Sequence, residues 1–305
     1  MHDPAADRAT EAFVAHRNLL FTVAYEMLGS AADAEDVLQE TWLKWVGTTL
    51  SDVRDQRAYL VRITTRQALN RLRTVKRRRE AYVGEWLPEP LLTAPDVADD
   101  VELAESVSMA LMLVLETLSP VERAVFVLRE VFDFGYDEIA AAVDKSSTAV
   151  RQIAHRARRH VDARRPRELV TPAAARAALE SFQRALQTGD LQGLLDVLAP
   201  DVVLLADGGG VAQAALRPIV GQDKVARFLA GGLRRAEEAG LPVRVGSVLV
   251  NGNPALVVRL GDTLDGVLSA QVEADRITAL YYVRNPEKPA GVESETPVTL
   301  GTTRT

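Results

Sequence analysis

The 305-residue chain contains no cysteine, which excludes disulfides, Cys-ligated zinc and thiol redox chemistry within it. Histidine is scarce, and the four residues (His2, His16, His155, His160) are too scattered to form a metal-ligand pattern. There is no run of about 18 uninterrupted apolar residues and no apolar N-terminal stretch, so neither a membrane span nor a signal peptide is expected. The expected location is the cytoplasm. With 47% hydrophobic residues the chain can build substantial cores, and its length predicts two or three domains.

A net charge of −6 conceals two basic islands. Residues Arg54–Arg79 hold ten Arg/Lys against one Asp, a net of +9. Glu80–Asp144 follow with two Arg against fifteen acids, a net of −13. Lys145–Arg167 then hold eight Arg/Lys against one Asp, a net of +7. Solvated helix faces can carry such charge singly, but two islands on amphipathic helices are the footprint of a polyanion binder.

Apolar spacing predicts helices over Ala12–Gly29 and over "SAADAEDVLQETWLKWV", with Asp33 as N-cap of the second. A third, "AYLVRITTRQALNRLRTVKRRR", has a buried stripe of Tyr59, Ile63, Leu69 and Leu72. This unit spans residues 10–80, and the Pro-rich segment 81–100 reads as a linker. Helices resume over 101–165, where Ser119, Pro120 and Glu122 form a start signal. Residues 166–172 are a second linker. Two helices, a third at Gln222–Glu238 and four strands punctuated by turns then make an α+β domain over 173–288, with a curved antiparallel sheet. Residues 289–305 read as a flexible tail.

"YDEIAAAVDKSSTAVRQIAHRARRHV" (Tyr136–Val161) reads as a helix-turn-helix. Ile139, Ala140 and Val143 are the inner face of its first helix, Asp144 takes the sharp break, and Ser146 caps the second helix. Val150, Ile153, Ala154 and Ala157 face inward. That leaves Ser147, Thr148, Arg151, Gln152, His155, Arg158 and Arg159 outward. A major groove admits one helix, and its base edges and phosphates call for these donors. A bi-helical hairpin in a protein interface would show the same burial pattern.

"DAEDVLQETWLKW", the basic helix Ala58–Arg79, "LSPVERAVFVL" and the helix-turn-helix, in that order, resemble regions 2 and 4 of an extracytoplasmic-function sigma factor of the sigma-70 family, over about residues 10–165. The resemblance implies a multidomain fold: an all-α region 2 helical bundle, an all-α region 4 helix-turn-helix domain and the α+β domain behind them. Its implied partners are core RNA polymerase and promoter DNA. Glu35, Asp36, Gln39 and Glu40 would meet the clamp helices of the polymerase β′ subunit. The loop Ser51–Arg57 and the helix after it would recognise and open the −10 element, through Arg57, Arg62, Arg66, Asn70, Arg73 and Lys76. Many family members carry Asn and Asp on this helix, where Arg66 and Asn70 stand here. The recognition helix would read the −35 element.

"WLPEP" (with Trp86 and Pro88), "DGGG" (Asp207, Gly208, Gly209, Gly210) and "NPEK" (Asn285, Pro286, Lys288) resemble signatures of a subgroup carrying a SnoaL-like extension. That extension has the cone-shaped α+β fold shared with nuclear transport factor 2. It implies a fused regulator acting in place of a separate anti-sigma protein. Two positions depart from the pattern: Val211 replaces the Lys after the glycines, and Pro289 follows Lys288 where the family has Leu. Asp207 is the one acid expected near the start of a cone cavity. No second carboxylate or His stands near it, so no catalysis and no cofactor is expected. A small apolar ligand in the cavity is a compatible partner. Two other readings fit parts of this pattern: a stand-alone helix-turn-helix regulator with a ligand-sensing C-terminal cavity, and an enzyme tethered to a DNA-binding module.

Overall fold

The structure, a computed structural model, describes residues 4–164, 170–288, 292 and 294–301. The linker expected at 166–172 and the tail expected at 289–305 therefore fall partly outside the described residues.

Helices α1 (Pro4–Leu28), α2 (Ala31–Val46) and α3 (Gln56–Glu80) form the first bundle. Gly29, with φ of 69°, ends α1 in the left-handed region that a residue without Cβ adopts freely. The N-cap of α2 is Ser30 rather than Asp33, because the Ser30 hydroxyl accepts the Asp33 amide at 3.2 Å. Asp33 instead points sideways to Arg71 at 2.7 Å.

Helices α4 (Pro95–Asp99), α5 (Val101–Ser106), α6 (Met109–Glu116) and α7 (Pro120–Phe126) lead through a π turn into α8 (Tyr136–Val143) and α9 (Ser147–Asp162). Ser119 and Glu122 close the expected reciprocal capping box on α7. Asp144 takes φ of 56°, as the sharp break requires. Buried side chains from α1 to α9 form one continuous apolar cluster running from Phe13 through Trp45, Leu60 and Met112 to Val150 and Val161. The two helical units thus share a core instead of standing apart.

The C-terminal part holds α10 (Pro172–Thr188), α11 (Leu191–Val197) and α12 (Gln222–Glu238) against a six-stranded sheet. Its strands are β1 (Leu198–Asp207), β2 (Ile219–Val220), β3 (Val243–Val250), β4 (Asn253–Leu260), β5 (Thr263–Glu273) and β6 (Arg276–Val283), in the order β2-β1-β6-β5-β4-β3. The expected all-antiparallel sheet needs correction. β1 and β6 are parallel, with Leu204 beside Leu280 and Asp207 beside Val283, because the antiparallel run from β3 through β4 and β5 to β6 brings the chain back alongside β1.

Two segments expected to be loose are packed. In the linker, Leu87, Pro88, Glu89, Pro90 and Leu91 are buried in an extended strap between the first bundle and the sheet. Its amides are satisfied on both sides: Glu89 N bonds Gly29 O at 2.8 Å, and Thr93 N bonds Leu249 O at 3.0 Å. In the tail, Val298 is 7% exposed within the helical core, and Thr299 N donates to the Thr22 hydroxyl at 3.0 Å. Composition predicted disorder here, but one apolar residue with a groove to fill overrides it.

Candidate nucleic-acid and polymerase interface

On α9, Thr148, Arg151, Gln152, His155, Arg158 and Arg159 are exposed along one face, while Val150, Ala154, Ala157 and Val161 are buried. Ser147 is half-buried and its hydroxyl has no hydrogen-bond partner. The Arg151 guanidinium lies 5.3 Å from the centre of the Tyr136 ring. Arg158 grips Glu130 through two nitrogens, at 2.9 and 2.7 Å. The remaining donors of this face stand open to a ligand.

The α3 residues fare differently. Arg66 donates to Ala141 O at 2.9 Å, at the C-terminal end of α8, where free carbonyls attract a cation. Arg57 sits 4.5 Å from the centre of the Phe134 ring, and Arg62 lies 4.6 Å from that of Tyr59. Asn70, Arg73 and Lys76 are exposed, with a 3.5 Å contact from Arg73 Nη1 to the Asn70 side-chain oxygen Oδ1. The basic helix is therefore partly covered by the helix-turn-helix at Arg57 and Arg66, while Asn70, Arg73 and Lys76 face solvent.

On α2, Glu35 is paired with Arg17 at 2.8 Å, Asp36 with Arg71, and Glu40 accepts from Gln67. Gln39 is exposed. These are half-exposed surface pairs, of small individual worth and readily exchanged. Sequence reasoning missed Leu43 and Val46, which are 70% and 43% exposed. With Gln39 they form an i, i+4, i+7 stripe, the pattern of a helix face awaiting a partner. The i+4 spacing was visible, but polar neighbours hid it.

Three signature segments meet at one point. Asp207 is fully buried and accepts from Tyr82 Oη (2.6 Å), Leu87 N (2.9 Å), Gly209 N (3.0 Å) and Lys288 Nζ (2.6 Å). Lys288 also donates to Leu87 O at 2.6 Å, and Asn285 donates to Tyr82 Oη at 2.8 Å. Burial pushes the Lys288 ammonium down to about 8, against the pull of Asp207. Trp86 is stacked between Arg79 and Lys288, which lie 3.4 and 4.3 Å from ring centres. Pro88 is buried beyond it, and Pro286 is an exposed turn residue. Gly209 has φ of 63°, and a Cβ there would fall 2.4 Å from Asn285 Cγ. A Cβ on Gly208 would fall 2.3 Å from Ala212 O, while one on Gly210 would meet Val83 at a looser 3.2 Å. Val211, in place of the family's Lys, is 72% exposed and lies outside the cluster's bonds. Asp207 therefore clamps the strap; it does not line the cone.

The carboxylate that does face the cone is Asp265. A cavity of about 230 Å³ is lined by Phe228, Leu233, Val258, Asp265, Tyr282 and Arg284, among others. Arg284 bonds Asp265 at 2.6 and 3.0 Å, and Tyr282 Oη donates to the same carboxylate. Asp265 could not be picked out from sequence because "LGDTLDG" reads as a turn although Asp265 lies within β5, and its partners are 17 and 19 residues away.

Two helical regions, a helix-turn-helix with an open donor face and an appended α+β domain make up the chain. The Sigma-70 region 2 profile matches residues 12–78, and the Sigma-70 region 4 profile matches residues 108–161. The chain is 36% identical over 290 residues to the ECF RNA polymerase sigma factor SigJ of Mycobacterium tuberculosis, covering 92% of each. It is 33% identical over 289 residues to the probable ECF RNA polymerase sigma factor SigI of the same organism, covering 93% of this chain and 94% of that one. The crystal structure of SigJ superposes with a TM-score of 0.73 at 33% identity, over 92% of this chain and 98% of the other. The chain belongs to the extracytoplasmic-function sigma factors, and its function is that of an RNA polymerase sigma factor acting with core polymerase on promoter DNA. Among the described residues no helix is long and apolar enough to cross a membrane.

Proposed function

We propose that α9 reads the −35 element, that α3 and the loop before it recognise and open the −10 element, and that the C-terminal domain restrains both in cis. In this reading α2 docks on the β′ clamp helices through Glu35, Asp36, Gln39 and Glu40, joined by Leu43 and Val46. The protein works in the cytoplasm beside the polymerase, and its C-terminal domain carries out no catalysis. The observation that carries the reading is the packing of α3 on α8, with Arg66 on the α8 carbonyls. Two helices that each need a stretch of promoter share one interface, and the strap that joins their regions is gripped by Asp207, Asn285 and Lys288. Transcription in vitro with core polymerase tests it, comparing the full chain with one lacking residues 171–305. The reading expects both chains to bind core and to differ in promoter-dependent output; equal output would remove the regulatory role.

A second reading of the C-terminal domain, a sensor of a small, mostly apolar ligand, draws support from the cone cavity with Asp265, Tyr282 and Arg284 at its wall. It expects an apolar ligand to alter the promoter-dependent output of the full chain and not that of the chain lacking residues 171–305.

A further inference from the structure

The β3–β4 hairpin closes with Asn251 and Gly252, at φ of 54° and 69°, the two-residue loop that a tight hairpin favours. Such a loop ordinarily lies in solvent. Here Asn251 is 2% exposed. Its side-chain amide donates to Tyr25 Oη on α1 at 2.7 Å and to Val107 O, between α5 and α6, at 2.8 Å. Its side-chain oxygen accepts Leu91 N from the strap at 2.9 Å, and its own backbone N donates to Leu91 O at 2.8 Å. Gly252 N donates to Thr93 Oγ1 at 3.0 Å, and Asn253 Nδ2 reaches Ala104 O on α5 at 3.1 Å. A Cβ on Gly252 would lie 2.6 Å from Ala104 Cα, so the turn is seated directly on the α5 backbone.

Nothing in hairpin geometry requires the Asn251 amide to be used this way. One side chain ties region 2, the strap and the α5–α6 junction at the entry to region 4 together. We propose that the turn Asn251–Gly252–Asn253 is the docking element by which the C-terminal domain holds region 4 on region 2, so that its release is what lets α8 leave α3. The inference rests on the in-cis reading above and adds the contact that exerts the restraint. It is separate from the Asp207–Lys288 cluster, which grips the strap at Leu87 and touches no residue of α5 or α6 through its hydrogen bonds.

The absence of cysteine makes the test clean, because a dye pair attaches only where cysteines are introduced. Val14→Cys on α1 and Lys145→Cys between α8 and α9 place dyes at exposed positions of regions 2 and 4 in the full chain. Asn251→Gly keeps the left-handed turn and removes the amide. It should raise the ratio of low-transfer to high-transfer molecules about tenfold, the worth of one to two buried hydrogen bonds. Gly252→Ala should act in the same direction by pushing against Ala104. If either chain folds poorly, Tyr25→Phe removes only the hydroxyl and should give a smaller rise that does not add to that of Asn251→Gly. An unchanged ratio in the folded variants overturns the proposal. Core polymerase binding of the same labelled chains is read in parallel. Normal core binding with an unchanged ratio sinks the docking element alone, whereas failure to bind core sinks the sigma reading itself.

Discussion

Replacing Glu26 with Gln probes the junction of regions 2 and 4 at its least comfortable member. Glu26 is fully buried on α1, and neither carboxylate oxygen has a hydrogen-bond partner. Arg123 is next to it but does not reach the carboxylate: its Nε donates to the Glu26 main-chain oxygen at 2.8 Å, its Nη1 pairs with Glu116, and its Nη2 is buried without a hydrogen-bond partner. Ser106 spends its hydroxyl proton on Leu103 O. Burial therefore dominates and pushes the Glu26 carboxyl from 4.5 up to about 8, while Ser106 and Arg123 pull it down without offsetting the shift. At pH 7 the packed residue is a neutral acid. The unfolded chain ionises near 4.5, so the contribution of the neutral acid is intact below that pH. It shrinks as pH rises and is lost by about pH 8. From pH 4.5 to 7 that loss is about 3 kcal/mol, at roughly 1.4 kcal/mol per pH unit.

Gln has nearly the same size and no charge to acquire. Glu26→Gln should therefore be more stable than the parent by about 3 kcal/mol at pH 7 compared with their difference at pH 4.5. Urea unfolding at the two pH values, read as the shift in midpoint at constant slope, measures this directly. A difference between the two chains that is the same at both pH values would refute the argument, because it would mean Glu26 is already ionised in the folded protein.

Other positions carry their own expectations. Arg151→Ala should weaken recognition of a −35 element by about 1–3 kcal/mol at one base position, read as lost discrimination among −35 variants in a binding assay. Lys76→Gln with Arg77→Gln should lower promoter affinity evenly across sequences and flatten the salt dependence by about two units of slope; an unchanged slope would remove both from the phosphates. Lys288→Met would strand Asp207 as a buried carboxylate without its cation and should destabilise the chain by about 3 kcal/mol or more in urea unfolding. Arg66→Ala, which frees the α8 carbonyls, should loosen region 4 by about 1 kcal/mol, visible as faster amide exchange in α8.

What the sequence made legible follows from reach. The limits of α12 agree with expectation to the residue, as do the capping box at Ser119 and the left-handed Asp144, because each depends on neighbours within about four positions. The open face of α9 was legible for the same reason: helical period alone sorts Arg151 from Val150. The contacts that matter between units were not. Asn251 and Tyr25 are 226 residues apart, Asn285 and Tyr82 are 203, and Arg66 and Ala141 are 75. No local pattern distinguishes an Asn in a solvated turn from one buried among three elements. The motif resemblance drew attention to Asp207 and Lys288 but gave no partner for them, and a cone cavity was the wrong address for Asp207.

The cations of the helical half divide into two kinds, and the division is physical. Arg79 and Arg123 are buried on Glu116, whose carboxyl they hold low although burial acts to raise it. Removing either breaks a buried three-member ion-pair network, so these cations are structural. Arg57, Arg62 and Arg151 instead rest on the rings of Phe134, Tyr59 and Tyr136, and Arg66 rests on helix-end carbonyls. A ring or a carbonyl holds a cation by only about 0.5–1 kcal/mol at an accessible site, less than a phosphate contact returns at low salt. Such arginines keep their full charge while the protein is closed and give up little when DNA takes them. A chain that paired them with carboxylates would have to break ion pairs at every step of promoter binding. Of the α9 arginines, only Arg158, forked onto Glu130, is held that way, so its release should lag behind that of Arg151 as salt is lowered.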